Sequence, residues 1–256
     1  MNYLYKQNLL SNILKSYGSV AVAFSGGVDS SFLLAFAKKI LKDKIIAVTS
    51  ADAIHSQKEI EFAASFAKKL NIKHIFINCG QMESSEFKAN TQKRCYICKK
   101  LIFKKIKNIA LSYNIKKIIH GENIDDLKKI RPGFKAAKEL NIASPFIDAG
   151  INKKKIRELS KEMELITWNK PSISCLATSI PYNSAITYKK LKTVESAENI
   201  LKNLGISAYK VIHYGSAAQV LTDENDRDKI LKKLDKIILK RFKELGFNKV
   251  DFKNSY

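Results

Sequence analysis

A hexapeptide, Ser25-Gly26-Gly27-Val28-Asp29-Ser30, follows the continuous apolar run Val20 to Phe24. Two adjacent glycines let a backbone turn tightly and approach a ligand, and the N–H groups opening a helix aim donors at an anion, as do the serine hydroxyls. Such a loop can cradle pyrophosphate. It has neither the lysine nor the spacing of a Walker A loop, which argues against P-loop kinase chemistry. A plain strand-to-helix turn capped by Ser30 is the simpler alternative. A second group, Gly121-Glu122-Asn123-Ile124-Asp125-Asp126, follows the short run Ile118-Ile119. Its adjacent carboxylates suit a hydrated Mg²⁺, a hard ion that prefers oxygen, or simply close a turn. Cys95 and Cys98 form a Cys-x-x-Cys flanked by Arg94, Lys99 and Lys100, cations that favour thiolates. A zinc site or a dithiol is the ordinary reading, and no partner motif completes four zinc ligands. Cys175 lies in a turn-rich stretch, 168–182, and alone reads as a small core residue, as does Cys79 at the end of a strand.

The elements that must position these groups alternate. An amphipathic helix (Leu10, Ile13, Leu14, Tyr17) precedes the first strand, and a helix from about Ser30 (Leu33, Ala37, Ile40, Leu41) leads to a run at Ile45 to Val48. A helix around 57–70, a run at Ile75 to Ile77, a helix around 99–113 and the run Ile118-Ile119 continue the series, and a helix with Ile156, Leu159 and Met163 closes it. Strand–helix alternation implies an α/β fold with a parallel sheet flanked by helices. Beyond the turn-rich stretch come a helix over about 187–204 with Gly205 at C′, a run at Tyr209 to His213, a long helix from Asp223 and a strand at Lys249 to Phe252. The expected organisation is a main domain over 1–170, then a linker with Cys175 and a small C-terminal α/β domain over 171–256.

The loop at 25–30 resembles the signature of the PP-loop ATP pyrophosphatases, which adenylate a substrate and release pyrophosphate. The resemblance implies that Ser25, Gly26, Gly27, Asp29 and Ser30 hold the pyrophosphate of ATP. Thr49 and Ser50 would lie beside adenine, Gly121, Asn123 and Asp125 would complete the nucleotide site, and Asp29 and Asp125 would place Mg²⁺. With Arg131-Pro132-Gly133, Ser144-Pro145, Trp168-x-Lys170-Pro171 and Cys175-Leu176-Ala177, the chain is similar over most of its length to the LarE family of ATP-dependent sulfur transferases. That family sulfurates the carboxylates of pyridinium-3,5-biscarboxylic acid mononucleotide, a step towards the nickel-pincer nucleotide. Some members sacrifice the cysteine matching Cys175, which becomes dehydroalanine. Members with the additional Cys-x-x-Cys hold a 4Fe-4S cluster on three cysteines, with one iron open to an extra sulfide. The resemblance therefore implies Cys95, Cys98 and Cys175 as catalytic cluster ligands. Departures lie in Thr178-Ser179 where the family has Ser-Arg, and in the small domain, where Lys210 to His213 and Ala218 to Leu221 replace an arginine-rich strand. Lys170, Lys210 and His213 are candidates to replace that positive charge.

Composition bounds the partners. Across 256 residues, 46 Lys and Arg against 24 Asp and Glu give a net charge of +22. Such a surface attracts RNA, polyphosphate or an anionic small molecule, although lysine pairs on helix faces are commonly only solvated. Thiolation of tRNA, known among other PP-loop enzymes, is therefore the second reading, and a non-catalytic metal or iron–sulfur carrier the third. Nucleic acid is not favoured over the nicotinate-derived mononucleotide, with sulfide or another donor as the sulfur source. No stretch approaches the roughly 20 apolar residues a membrane helix needs, and the N-terminal segment does not fit an export signal. A cytoplasmic homo-oligomer is expected, with cysteines reduced.

Overall fold

The computed structural model describes residues 3–128, 132–171 and 174–254; Arg131 of the Arg-Pro-Gly run and residues 172–173 before Cys175 lie outside them. In chain order the elements are α1 (Tyr3–Tyr17), β1 (Val20–Ala23), α2 (Val28–Leu41), β2 (Ile45–Ser50), α3 (Gln57–Lys69), β3 (Lys73–Ile77), α4 (Ser85–Lys88) and α5 (Arg94–Ser112). They continue with β4 (Lys117–His120), α6 (Pro132–Glu139), α7 (Pro145–Asp148), α8 (Lys153–Glu162), α9 (Tyr188–Asn203), β5 (Tyr209–Tyr214), β6 (Ala217–Thr222), α10 (Glu224–Lys229), α11 (Asp235–Glu244) and β7 (Lys249–Asn254). Residues Met1–Gln81 and Gln92–Ile173 form one compact unit, and Met82–Thr91 with Ser174–Tyr256 form another.

In the first unit, four parallel strands lie in the order β3-β2-β1-β4. The apolar runs of β1, β2 and β4 are buried on both faces, as parallel strands covered by helices are, while the edge strand β3 leaves Phe76 exposed. On one face α1, α2, α3 and α8 supply Leu10, Leu33, Phe66 and Ile156; on the other α5 and α6 supply Phe103, Ile106 and Ala136. The order places β2 on one side of β1 and β4 on the other, so the chain reverses direction of growth at β1. At such a switch point the loops leaving the strand ends diverge and open a crevice. The loop after β1 is Ser25 to Ser30, and the loop after β4 begins at Gly121. Both motifs thus issue from adjacent strands at the same edge.

The second unit is a three-stranded sheet, β5-β6-β7, with β5 antiparallel and β7 parallel to β6. Ala197, Leu201, Ile230, Ile238 and Phe242 cover it. Asp226 organises one end, its Oδ2 accepting from the Ser207 N–H, the Ser207 hydroxyl and the Ala208 N–H at 2.7–2.9 Å. The helix expected from Asp223 is interrupted by a π-helical turn at Ile230–Leu234. Residues 82–91 join this unit through Asn90, whose amide donates to the carbonyls of Ile180, Pro181 and Ser184. Among the described residues no helix is long and apolar enough to cross a membrane.

Candidate active site

A cavity of about 260 Å³ opens at the C-terminal ends of β1, β2 and β4 in the first unit. Its floor is the hexapeptide: Ser25, Gly27, Asp29 and Ser30 all line it. The serines brace the turn, with Ser30 Oγ 3.1 Å from Ser25 Oγ, accepting from the Ser25 N–H and donating to the Gly27 carbonyl. Gly26 has φ +71°, the left-handed region that glycine enters without penalty. Helices α3, α8, α9 and α10 each have a side chain accepting from an N–H of the first turn, whereas Gly27, which precedes α2, has none to offer. Apart from the Asp29 N–H, which its own carboxylate accepts, the leading N–H groups of α2 face an anion site with the positive end of the helix dipole behind them.

The segment after β4 is drawn against this floor. A Cβ at Gly121 would lie 3.0 Å from the Ser30 backbone nitrogen and 3.1 Å from the Asp29 carbonyl carbon, so any other residue would push on the backbone that opens α2. Buried Asn123 bridges the loops: its amide nitrogen lies 3.5 Å from Asp29 Oδ1 and its Oδ1 accepts from the Asp125 N–H. The neighbouring aspartates have separate places. Asp126 lines the cavity and accepts from the Asn123 N–H, whereas Asp125, the carboxylate expected from sequence to face Mg²⁺, accepts from the Lys153 N–H opening α8 and from Lys128. The helix terminus competes for the Asp125 carboxylate, and turn geometry leaves the next residue to face the cavity. Asp29 is paired with Lys153. Burial raises its carboxyl above the usual range and the charge of Asp126 adds to this, against the pull of Lys153.

At the β2 end, Thr49 and Ser50 line the cavity, but their hydroxyls face protein: Thr49 Oγ1 donates to the Phe24 carbonyl and Ser50 Oγ to Asp52. His55 and Glu59 form the adjoining wall, and His55 Nε2 is buried without a hydrogen-bond partner among the described residues. At the β4 end are Lys99, His120 and Glu122; Lys99 pairs with Glu122 Oε1, and His120 Nε2 lies 2.7 Å from Ser144 Oγ. Burial pushes His120 down to about 3, with the Lys99 charge adding to the effect, so the ring is neutral. The unfolded ring takes a proton near pH 6.5 and the folded ring does not. Stability is therefore complete above 6.5 and is lost as pH falls towards 3. Between pH 7 and pH 5 this ring alone is expected to remove about 2 kcal/mol, a loss that thermal melts should show and His120→Asn should lack. Equal acid sensitivity in both proteins would refute the assignment.

Cys95 and Cys98 sit one turn apart in the first two turns of α5, a helix that begins five residues before the position expected from its apolar spacing. The Gln81 amide has one end 2.7–2.8 Å from the Asp52 carboxylate oxygens and the other 3.8 Å from Cys98 Sγ. A carboxylate only accepts, so the nitrogen faces Asp52 and the carbonyl oxygen faces the thiol. Cys79 packs beside the same group, its N–H donating to Asp52, and burial pushes its thiol up to about 12. It remains protonated. Among the described residues no set of three or more His, Cys, Asp or Glu gathers as a metal site. In the second unit Cys175 caps a 3₁₀ turn, Leu176–Ser179; Thr178 Oγ1 donates to its carbonyl, and Lys210 Nζ donates to Thr178 and Ser174 at 3.0 Å. Of the replacement cations, Lys210 thus braces the Cys175 turn, and Lys170 donates to the Gly26 carbonyl at 2.9 Å. His213 accepts from the Gly215 N–H and lies edge-on to Phe247, and burial lowers its pKa, which favours the neutral ring.

The asparagine synthase family profile matches residues 10–115. Over 253 residues, 98% of this chain and 96% of the relative, the sequence is 34% identical to an uncharacterized protein of Methanocaldococcus jannaschii. It is 33% identical over 208 residues to an uncharacterized protein of Synechocystis sp., covering 80% of this chain and 78% of the relative. Pyridinium-3,5-bisthiocarboxylic acid mononucleotide synthase of Lactiplantibacillus plantarum is 28% identical over 216 residues, 84% of this chain and 78% of that enzyme.

Proposed function

The chain belongs to the LarE family within the PP-loop superfamily, and from that premise we propose that it is an ATP-dependent sulfur transferase acting on a carboxylate of a pyridinium mononucleotide. The observation that carries this reading is a shared wall: Lys99, the residue after Cys98, lines the cavity floored by the phosphate loop. The dithiol helix and the nucleotide cradle are therefore parts of one construction.

In this reading the triphosphate lies on Ser25, Gly27, Ser30 and the free N–H groups of α2, and the adenine lies along β2, where His55 Nε2 awaits a partner. Asp29 and Asp126, both facing the cavity and close enough to repel, would hold Mg²⁺. The ion would offset charge building on the leaving pyrophosphate. A substrate carboxylate oxygen attacks the α-phosphorus, the bond to pyrophosphate breaks, and an acyl-adenylate forms. A hydrosulfide-level sulfur then attacks the acyl carbon; the C–O bond breaks, AMP leaves with the bonding pair, and a proton is released as the thiocarboxylate forms. Cys95, Cys98 and Cys175 are the residues assigned to sulfur handling. The sequence motif suits a 4Fe-4S cluster on these three, although among the described residues no set of three or more His, Cys, Asp or Glu gathers as a metal site.

Pyrophosphate release should rise on adding the pyridinium biscarboxylate mononucleotide and stay at background with tRNA. The reverse result would favour the second reading, to which the charge of +22 points. No ATP consumption with either acceptor would leave a carrier.

A further inference from the structure

We propose that Lys170 is a positioning residue for the nucleotide's phosphates, holding the Gly26–Gly27 peptide so that its N–H faces the cavity, and that Arg157 holds Lys170 in place. The proposal rests on the nucleotide-site reading and adds to it a residue that touches neither base nor phosphate. Lys170 Nζ donates to the Gly26 carbonyl at 2.9 Å and sits 3.8 Å from the centroid of the Phe62 ring. Phe62 in turn backs the turn itself, since a Cβ at Gly26 would meet its ring at 3.2 Å. The ammonium is half-buried there; burial lowers its pKa, and the charge of Glu59 opposes that shift. This is a seat built for one cation.

Its effect on a ligand follows from the planarity of the peptide. In a trans unit the C=O of Gly26 and the N–H of Gly27 point in opposite directions. Gly27 lines the cavity, and Gly26 presents its carbonyl to Lys170. A cation on that carbonyl therefore favours the orientation in which the N–H serves an anion. Between two glycines, a peptide unit has little steric reason to keep one orientation. Flipped, it would turn a carbonyl oxygen towards the phosphates. The dipole that should attract the ligand would then repel it.

The lysine is itself held. Arg157 Nη1 donates to the Trp168 carbonyl at 2.8 Å and Nη2 to the Lys170 carbonyl at 2.9 Å, so one planar guanidinium clamps the backbone on both sides of Asn169. Arg157 lies on α8, whose first residue, Lys153, pairs with Asp29. One helix thus grips the phosphate loop twice: at Asp29 directly, and at Gly26 through the segment ending in Lys170. These contacts give a physical reason for lysine in the Trp-Asn-Lys-Pro stretch that sequence alone assigned to substrate charge.

The test is binding to the full-length protein, read separately for pyrophosphate, ATP and adenosine by calorimetry, with thermal melts alongside. Lys170→Met should weaken pyrophosphate and ATP by about tenfold to a hundredfold, the range expected for one charge-assisted hydrogen bond, and leave adenosine within about twofold. Lys170→Arg, which can donate to the same carbonyl and stack on Phe62, should recover most of the loss. Lys170→Gln, with a neutral donor, should fall between and serves if the Met variant does not fold. Arg157→Met should shift pyrophosphate in the same direction by a smaller factor. Unchanged pyrophosphate affinity in Lys170→Met or Lys170→Gln overturns the proposal, as does a parallel loss of adenosine, which would mark general damage. Wild-type protein that binds no pyrophosphate would overturn the nucleotide-site reading together with it.

Discussion

Gly121→Ala is expected to weaken ATP binding by about tenfold to a hundredfold, a larger effect than a methyl group gives at most surface turns. The added Cβ would lie 3.0 Å from the Ser30 backbone nitrogen, 3.1 Å from the Asp29 carbonyl carbon and 3.2 Å from Asp29 Cβ. Two of these atoms are backbone, in the first turn of α2, and backbone cannot rotate away as a side-chain end would. Overpacking of this kind costs about 1–3 kcal/mol, and here the displacement falls on the groups that would face the phosphates. Gly133→Ala provides the contrast. Its Cβ would meet the Lys99 side chain at 2.7 Å, so the strain falls on the Lys99–Glu122 pair and the α5 wall and not on the backbone of the phosphate loop. Titration with a fluorescent ATP analogue should separate the two variants. Equal affinities would show that the approach of the β4 loop to α2 is not what shapes the cavity.

The parts of this molecule that were legible in the sequence are those encoded by local pattern. Val20 to Phe24 reads as a doubly buried strand because every residue is apolar, and the glycine pair ends it because no other residue turns there so cheaply. That both motifs follow strands of a parallel sheet was readable too, whereas the order that makes β1 and β4 neighbours was seen only in the structure. Contacts between residues far apart in the chain carried no such local signal. Lys153 looks like any other lysine in a chain rich in them, yet it pairs with Asp29; Lys170 was marked only as a candidate for substrate charge, yet it donates to the Gly26 carbonyl. Asp125 and Asp126 are identical in type and adjacent; only the docking of the α8 terminus separates them. The start of α5 at Arg94 was hidden because Cys95 and Cys98 interrupt its apolar spacing. Residues 82–91 belong with the second unit through hydrogen bonds from Asn90, a partner choice that no composition shift announces.

Replacement of Cys175 by alanine is expected to reduce sulfur transfer to background, a loss of about three orders of magnitude or more, while leaving pyrophosphate release within about twofold. The separation follows from where the groups lie. The cavity is lined by the loop at 25–30, the ends of β2 and β4 and the wall of α5 and α3; neither Cys95 nor Cys98 is among its lining residues, and Cys175 belongs to the other compact unit. Adenylation depends on donors and charges that a thiol does not supply, whereas delivery of sulfur depends on the thiols. Cys95→Ala and Cys98→Ala should behave as Cys175→Ala does if the three act together. Cys79→Ala is the internal comparison: its thiol, pushed up to about 12 by burial, stays protonated and should be dispensable for transfer. Two readouts on oxygen-free protein then distinguish the routes. Brown protein with about four irons per chain, lost in each of the three variants but kept in Cys79→Ala, would assign the cysteines to a shared cluster. Colourless protein that still transfers sulfur, with the Cys175 peptide lighter by the mass of hydrogen sulfide, would assign a sacrificial thiol. Full transfer by Cys175→Ala would remove this residue from the chemistry altogether, because no alanine can carry, ligate or surrender a sulfur atom.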